Sequence, residues 1–296
     1  MELNEQQQQE LQDLKKKPPY YPGVGASFGI SGILIGLALA FGLLLPVLNK
    51  YFEEEATFLI YYLLMTGGTF WIAYAVRKNK TGVDDFTVPL RNLSLLPFIV
   101  FGTLALLIGI VSPISSSIPM PEFLEEAFKQ LSMQKGLPTF FTIVIAAPIL
   151  EELIFRGIIL DGLFRNTSPT KAILLSSFLF GLVHLNPWQF VTAMVLGIFM
   201  GWIYYHTKSL FATILIHFTA NASAFFARFL VDIDSMSYDM TLAEFHGGKI
   251  NMLITITGCI IIAFICINFM RQEFAKNTVS DEWNNTIQEE KRDETI

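Results

Sequence analysis

Eight long apolar runs divide this chain, roughly 26–48, 56–76, 93–111, 139–160, 172–185, 188–205, 210–230 and 250–270. Most reach the ~20 residues that a helix needs to cross the hydrocarbon core of a bilayer. They predict an all-α, polytopic membrane protein of about eight transmembrane helices. The run at 172–185 covers only about 21 Å at 1.5 Å per residue, so it is expected to shelter among other helices. Composition agrees: 52% of the 296 residues are hydrophobic and 16% charged, where a soluble domain carries about a quarter charged. The first run starts late and is too long for a signal-peptide core, so it reads as a true first helix.

Lysine and arginine set the orientation. With the N-terminus cytoplasmic, the inner segments hold twelve basic residues: Lys15, Lys16, Lys17, Arg77, Lys78, Lys80, Arg91, Arg165, Lys171, Lys208, Arg271 and Lys276. The outer loops hold four, Lys50, Lys129, Lys135 and Lys249. Both termini are therefore expected inside, as an even number of spans requires. The net charge of −6 comes partly from acidic outer loops and the C-terminal tail and gives no reason to expect nucleic acid.

The boundaries read as a polar cytoplasmic leader over 1–25, a transmembrane domain over 26–270 and a charged, disordered cytoplasmic tail over 271–296. There is no internal repeat and no second domain. Between the third and fourth runs, Phe123, Leu124, Phe128 and Leu131 alternate with acidic residues at helical spacing, suggesting an amphipathic helix on the outer face. The acidic loop 231–249 reads as a solvated surface. Cys259 and Cys266, seven apart on one helix, cannot bridge and read as packing residues.

Three polar clusters interrupt the apolar runs: Glu151, Glu152 and Arg156; Phe180 and His184; His217 and Asn221. Such groups cost several kcal/mol in hydrocarbon and usually face a cavity. Glu152 and Arg156, four apart, suit an ion pair with the acid on the N-terminal side. Glu151 points about 100° away, lacks a partner on its own helix and suits acid–base work. Pro148, one turn earlier, removes a backbone donor and can open the helix. His217 and Asn221 share a face and can aim two donors at one point. Each cluster alone also fits a polar clamp between helices. Depth favours a site: counted from boundaries near Asp161, Lys171 and Lys208, Glu151 is expected about 15 Å deep, His184 about 20 Å and His217 about 14 Å. His206 and His246 read as surface residues. Glu151, His184 and His217 are also credible zinc ligands, and spacing alone does not separate a metal site from a Glu/His pair that activates water directly.

Lined up in order, these clusters resemble the family of CAAX prenyl proteases and bacteriocin-processing enzymes, the Abi or CPBP family. Its pattern is Glu-Glu-x-x-x-Arg, Phe-x-x-x-His and His-x-x-x-Asn or Asp on separate membrane helices, matched here without departure over about 139–225. The resemblance implies an intramembrane endopeptidase with a polar cavity inside the bundle. By motif position, Glu151 and His184 would activate water and His217 and Asn221 would stabilise the oxyanion. Glu152, Arg156 and Phe180 would support the site. It implies no cofactor, with Zn²⁺ as the alternative, and a membrane-associated protein or peptide substrate, prenylated CAAX-type chains among them. A non-catalytic binding or scaffold protein remains the rival, and the compact chain leans towards a bacterial plasma membrane.

Overall fold

The computed structural model describes residues 20–121, 129–130, 133–230 and 241–276. Among them there is no strand. The principal helices are α1 (Val24–Gly42), α2 (Glu54–Thr81), α3 (Leu93–Ser116), α4 (137–166), α5 (Pro169–Leu182), α6 (Pro187–Thr207), α7 (Leu210–Leu230) and α8 (Lys249–Lys276). Six of them, all but α4 and α5, are individually long and apolar enough to cross a membrane. The protein is thus an all-α, polytopic membrane protein, and among the described residues α4 and α5 pack with these six in one bundle.

Helix ends depart from the apolar runs for local reasons. α8 continues to Lys276 because Arg271–Lys276 are mostly good helix formers; the start of the expected tail is therefore helix. α5 stops at Leu182, ahead of the expected 185, because Pro187 starts α6 and Asn186, held extended before it, caps that helix by accepting from the Gln189 amide at 2.8 Å. Most of the expected leader and tail, the amphipathic helix after Glu122, and residues 231–240 lie outside the described residues.

The helices alternate in direction. Phe98 stacks on Phe269 and Gly109 lies against Cys259, so α3 and α8 run antiparallel. At one end of the bundle Lys208 approaches Asp161, Ser209 donates to the Val88 carbonyl and Asn92 donates to Glu273. At the other, the Gly136 amide donates to Glu55, Arg228 to the Gln134 carbonyl and Trp188 to the Ile118 carbonyl.

α4 is the central rod. Its residues 154–160, 163 and 164 are fully or almost fully excluded from solvent. α5 and α6 form a close hairpin around it because Gly181, Gly197 and Gly201 leave no room for a side chain; a Cβ at Gly197 would come within 2.9 Å of Ser177. Small residues at such contacts are how membrane helices approach each other. Large apolar side chains on the outer faces, such as Leu39, Trp71 and Phe264, are exposed to the lipid. Cys266 is buried against Gly102, and neither cysteine is bridged. His206 is not a surface residue: it is half-buried and stacks on Phe274, 4.6 Å between ring centres.

Candidate active site

The first polar cluster sits on α4 between two π-helical stretches, Phe141–Ala146 and Leu153–Leu160, which bracket Ala147–Glu152. π turns leave backbone groups in altered register and are frequent at functional sites. Pro148 contributes directly, having no N–H to return to the carbonyls one turn back. The Ile143 carbonyl accepts instead from Asn221 Nδ2 on α7, at 2.8 Å. A carbonyl only accepts, so this contact fixes the orientation of the Asn221 amide. One of its N–H groups is committed to α4 and the other remains.

Glu152 is fully buried, and its Oε1 accepts from both Arg156 Nη1 and His217 Nδ1, each at 3.0 Å. Arg156 is equally buried; its Nη2 donates to the Gly197 carbonyl at 3.4 Å and its guanidinium lies over the Phe180 ring at 4.6 Å. Several partners of this kind are what make a buried ion pair tolerable. Phe180 also meets the rings of His184 and His217 edge-on, at 5.2 and 5.6 Å. The phenylalanine is therefore the hub that spaces the guanidinium and both imidazoles.

His184 lies beyond the end of α5 rather than within a span. Its backbone N–H closes a turn onto Gly181, and Leu185 follows at φ 57°, a left-handed conformation that costs about 1 kcal/mol for a residue with a Cβ. The ring is held back over the helix end by Nδ1, which donates to the Phe180 carbonyl at 2.8 Å. Both imidazoles are thus tied in the same way. Each has its Nδ1 proton on an oxygen acceptor, so Nε2 carries the lone pair of the neutral ring.

Phe180, His184, His217 and Asn221 line one cavity of about 580 Å³, walled by α3, α6 and α7. Of the four residues expected to act chemically, the structure brings these three polar ones together. Glu151 is not among the lining residues. It turns towards α2, where its Oε1 accepts from the Tyr62 hydroxyl at 2.5 Å, while its Oε2 is buried without a hydrogen-bond partner among the described residues. Tyr62 carries no motif; the available signal was a second tyrosine in an apolar run, with Thr66 one turn on along the same face. A catalytic zinc needs three protein ligands. Among the described residues no three His, Cys, Asp or Glu side chains are grouped to hold a metal. Glu151, His184 and His217 as placed do not fit one.

Residues 133–223 match the family model described as Rce1-like, type II CAAX prenyl endopeptidase. That stretch includes Glu151, Glu152, Arg156, Phe180, His184, His217 and Asn221. The similarity to that family covers under a third of the chain and takes in all three polar clusters. A protein of Bacillus subtilis (strain 168) named "Putative membrane peptidase YdiL" is 36% identical over 77 residues, 26% of this chain and 32% of that protein. The match thus spans about a third of the relative's length. No solved structure matches. Within the matched stretch, α4 and α7 carry one cluster each, and the third lies on the last turn of α5 and just beyond it, where His184 sits in the turn that leads to α6.

Proposed function

We propose that this protein is an intramembrane endopeptidase that hydrolyses a peptide bond in a membrane-associated protein or peptide. The observation that carries the reading is the pair of imidazoles, His184 and His217, tied through Nδ1 and lining one cavity inside the bundle. Motif position assigns water activation to Glu151 with His184. The water oxygen adds to the carbonyl carbon as its proton passes to the base. The C–N bond then breaks as a proton is delivered to the leaving amine, giving a carboxylate and an amine. The tetrahedral oxyanion is met by the remaining N–H of Asn221 and by His217, which donates from Nε2 when doubly protonated beside Glu152. The protein sits in a bacterial plasma membrane with both termini cytoplasmic.

A second assignment is favoured by the 3.0 Å contact between Glu152 and His217. There, neutral His217 takes the water proton through Nε2, and Glu152 holds the ring in place, as the carboxylate does in a catalytic triad. Turnover of a fluorogenic membrane-anchored peptide by the purified full chain in liposomes separates the two. Under the first assignment Glu151→Gln and His184→Ala abolish cleavage while the protein stays folded. Full activity in Glu151→Gln, with loss in His217→Ala, establishes the second. Cleavage unaffected by substitution at all three sites, or absent from the unmodified protein, overturns the endopeptidase reading.

A further inference from the structure

The cavity is closed at one end of the bundle and open at the other. Its floor is Phe180, His217 and Met200. Beneath that floor Arg156 and Glu152 fill the space, and then Ile158, Ile159, Leu163, Ile203 and Leu210 are completely excluded from solvent. The walls rise the other way. Along α7 they run from His217 through Asn221 and Ala224 to Ala227, about 15 Å of helix. Along α6 they climb back from Met200 to Gln189, and along α3 from Leu107 to Ser112. α3 packs on α7 chiefly below Leu107 and stays with α6 and α8 above it, so the upper halves of α3 and α7 part into a cleft. The cleft side of α7 is small, with Ala220, Ser223, Ala224 and Ala227 leaving room for bulky apolar groups.

The two ends of the bundle differ in charge. Among the described residues the closed end carries Arg77, Lys78, Lys80, Arg91, Arg165, Lys171, Lys208, Arg271 and Lys276, nine in all. The open end carries five: Lys50, Lys129, Lys135, Arg228 and Lys249. Basic residues near span ends stay cytoplasmic.

From the cavity's direction and this asymmetry we infer that the substrate enters from the outer half of the membrane, through the cleft between α3 and α7. The substrate class is then an exported or membrane-anchored polypeptide whose apolar scissile segment lies on the extracytoplasmic side. A prenylated chain end in the cytoplasm would meet the sealed face. This inference rests on the endopeptidase reading for its substrate but not for its geometry.

Two measurements test it separately. In intact cells, a charged maleimide that does not cross membranes is applied to the full-length Ala224→Cys and Lys171→Cys variants, with the unmodified chain and its two native cysteines as blank. Ala224→Cys, in the cleft, reacts from outside, and Lys171→Cys, at the sealed end, reacts only in inverted vesicles. The reverse pattern overturns the inference whether or not the protein is a protease. Cleavage is then compared for two single-span reporter peptides, carrying the same apolar segment at the outer or the inner membrane boundary. Cleavage of the outer reporter alone supports the inference, and cleavage of the inner reporter alone overturns it. If neither is cut by a protein that labels as expected, the endopeptidase reading fails and the outward-facing cavity stands.

Discussion

The Tyr62 hydroxyl lies 2.5 Å from Glu151 Oε1, joining α2 to α4 across a sequence separation of 89 residues. The acid singled out as lacking a partner on its own helix finds one on another, while its second oxygen is buried with no hydrogen-bond partner among the described residues. A carboxylate held by one oxygen keeps a fixed direction and leaves the other oxygen for proton transfer.

Tyr62→Phe keeps the ring packing and removes only the hydroxyl. With Glu151 as base, kcat falls roughly 10-fold, about 1.4 kcal/mol of barrier, while KM is unchanged because Tyr62 does not line the cavity. A parallel rise in KM, or loss of folded protein without loss of kcat, shows the hydroxyl to be structural only. Steady-state kinetics with a membrane peptide, alongside thermal unfolding in detergent, reads both.

Glu152→Gln separates the two acids by stability. The amide leaves buried Arg156 without its carboxylate and costs about 3 kcal/mol, the lower range for breaking a buried pair. Glu151→Gln retains an acceptor for Tyr62 and leaves thermal stability nearly unchanged. Equal melting losses for the two variants contradict this division.

Asn221→Ala loses one donor at the proposed oxyanion position and slows turnover roughly 10²–10³-fold. It also leaves the Ile143 carbonyl unpaired at a cost of about 1 kcal/mol. A stability loss with unchanged kcat shows that the amide serves α4 alone.

Metal dependence has an equally direct measurement. The purified protein is expected to hold zinc well below one ion per chain and to keep its activity after prolonged chelation. One zinc per chain, with activity lost on stripping and restored by zinc, establishes a metal mechanism.

Lys208 lies between α6 and α7, over the rings of Phe164 and Tyr204 and 3.9 Å from Asp161. Burial pushes its ammonium down from 10.5 to about 8, with Asp161 opposing the shift and Arg165 adding to it. Between those pH values the unfolded chain holds the proton more tightly than the folded one, so this group's contribution makes stability rise with pH. The melting temperature of the unmodified protein is expected to gain more from pH 8 to pH 10 than that of Lys208→Met. Identical gains argue against a depressed lysine.

The sequence shows most plainly what depends on neighbours along the chain. The apolar runs give the helices because lipid tolerates little else over 20 residues, and the Glu152–Arg156 pair was readable because one turn of helix joins its members. Where His184 stands was less so. The apolar run continues to residue 185, and the actual stop comes from Asn186 and Pro187 just beyond it. Contacts between helices were out of reach: Tyr62 on Glu151, Asn221 on the Ile143 carbonyl and His217 on Glu152 each join residues more than 60 apart. The π stretches on both sides of Ala147–Glu152 were foreshadowed only by Pro148.

Glu152 Oε1 serves two donors at once, one on its own helix and one on α7. Arg156 and His217 therefore compete for, and jointly define, a single oxygen. Substitutions at the two sites will not add: whichever partner is removed first alters what the second is worth, and a double-mutant cycle will carry a sizeable interaction energy. For anyone redesigning this bundle, the three positions form one unit of change. An apolar replacement is workable only if all three are exchanged together, because any survivor is a polar group stranded in hydrocarbon.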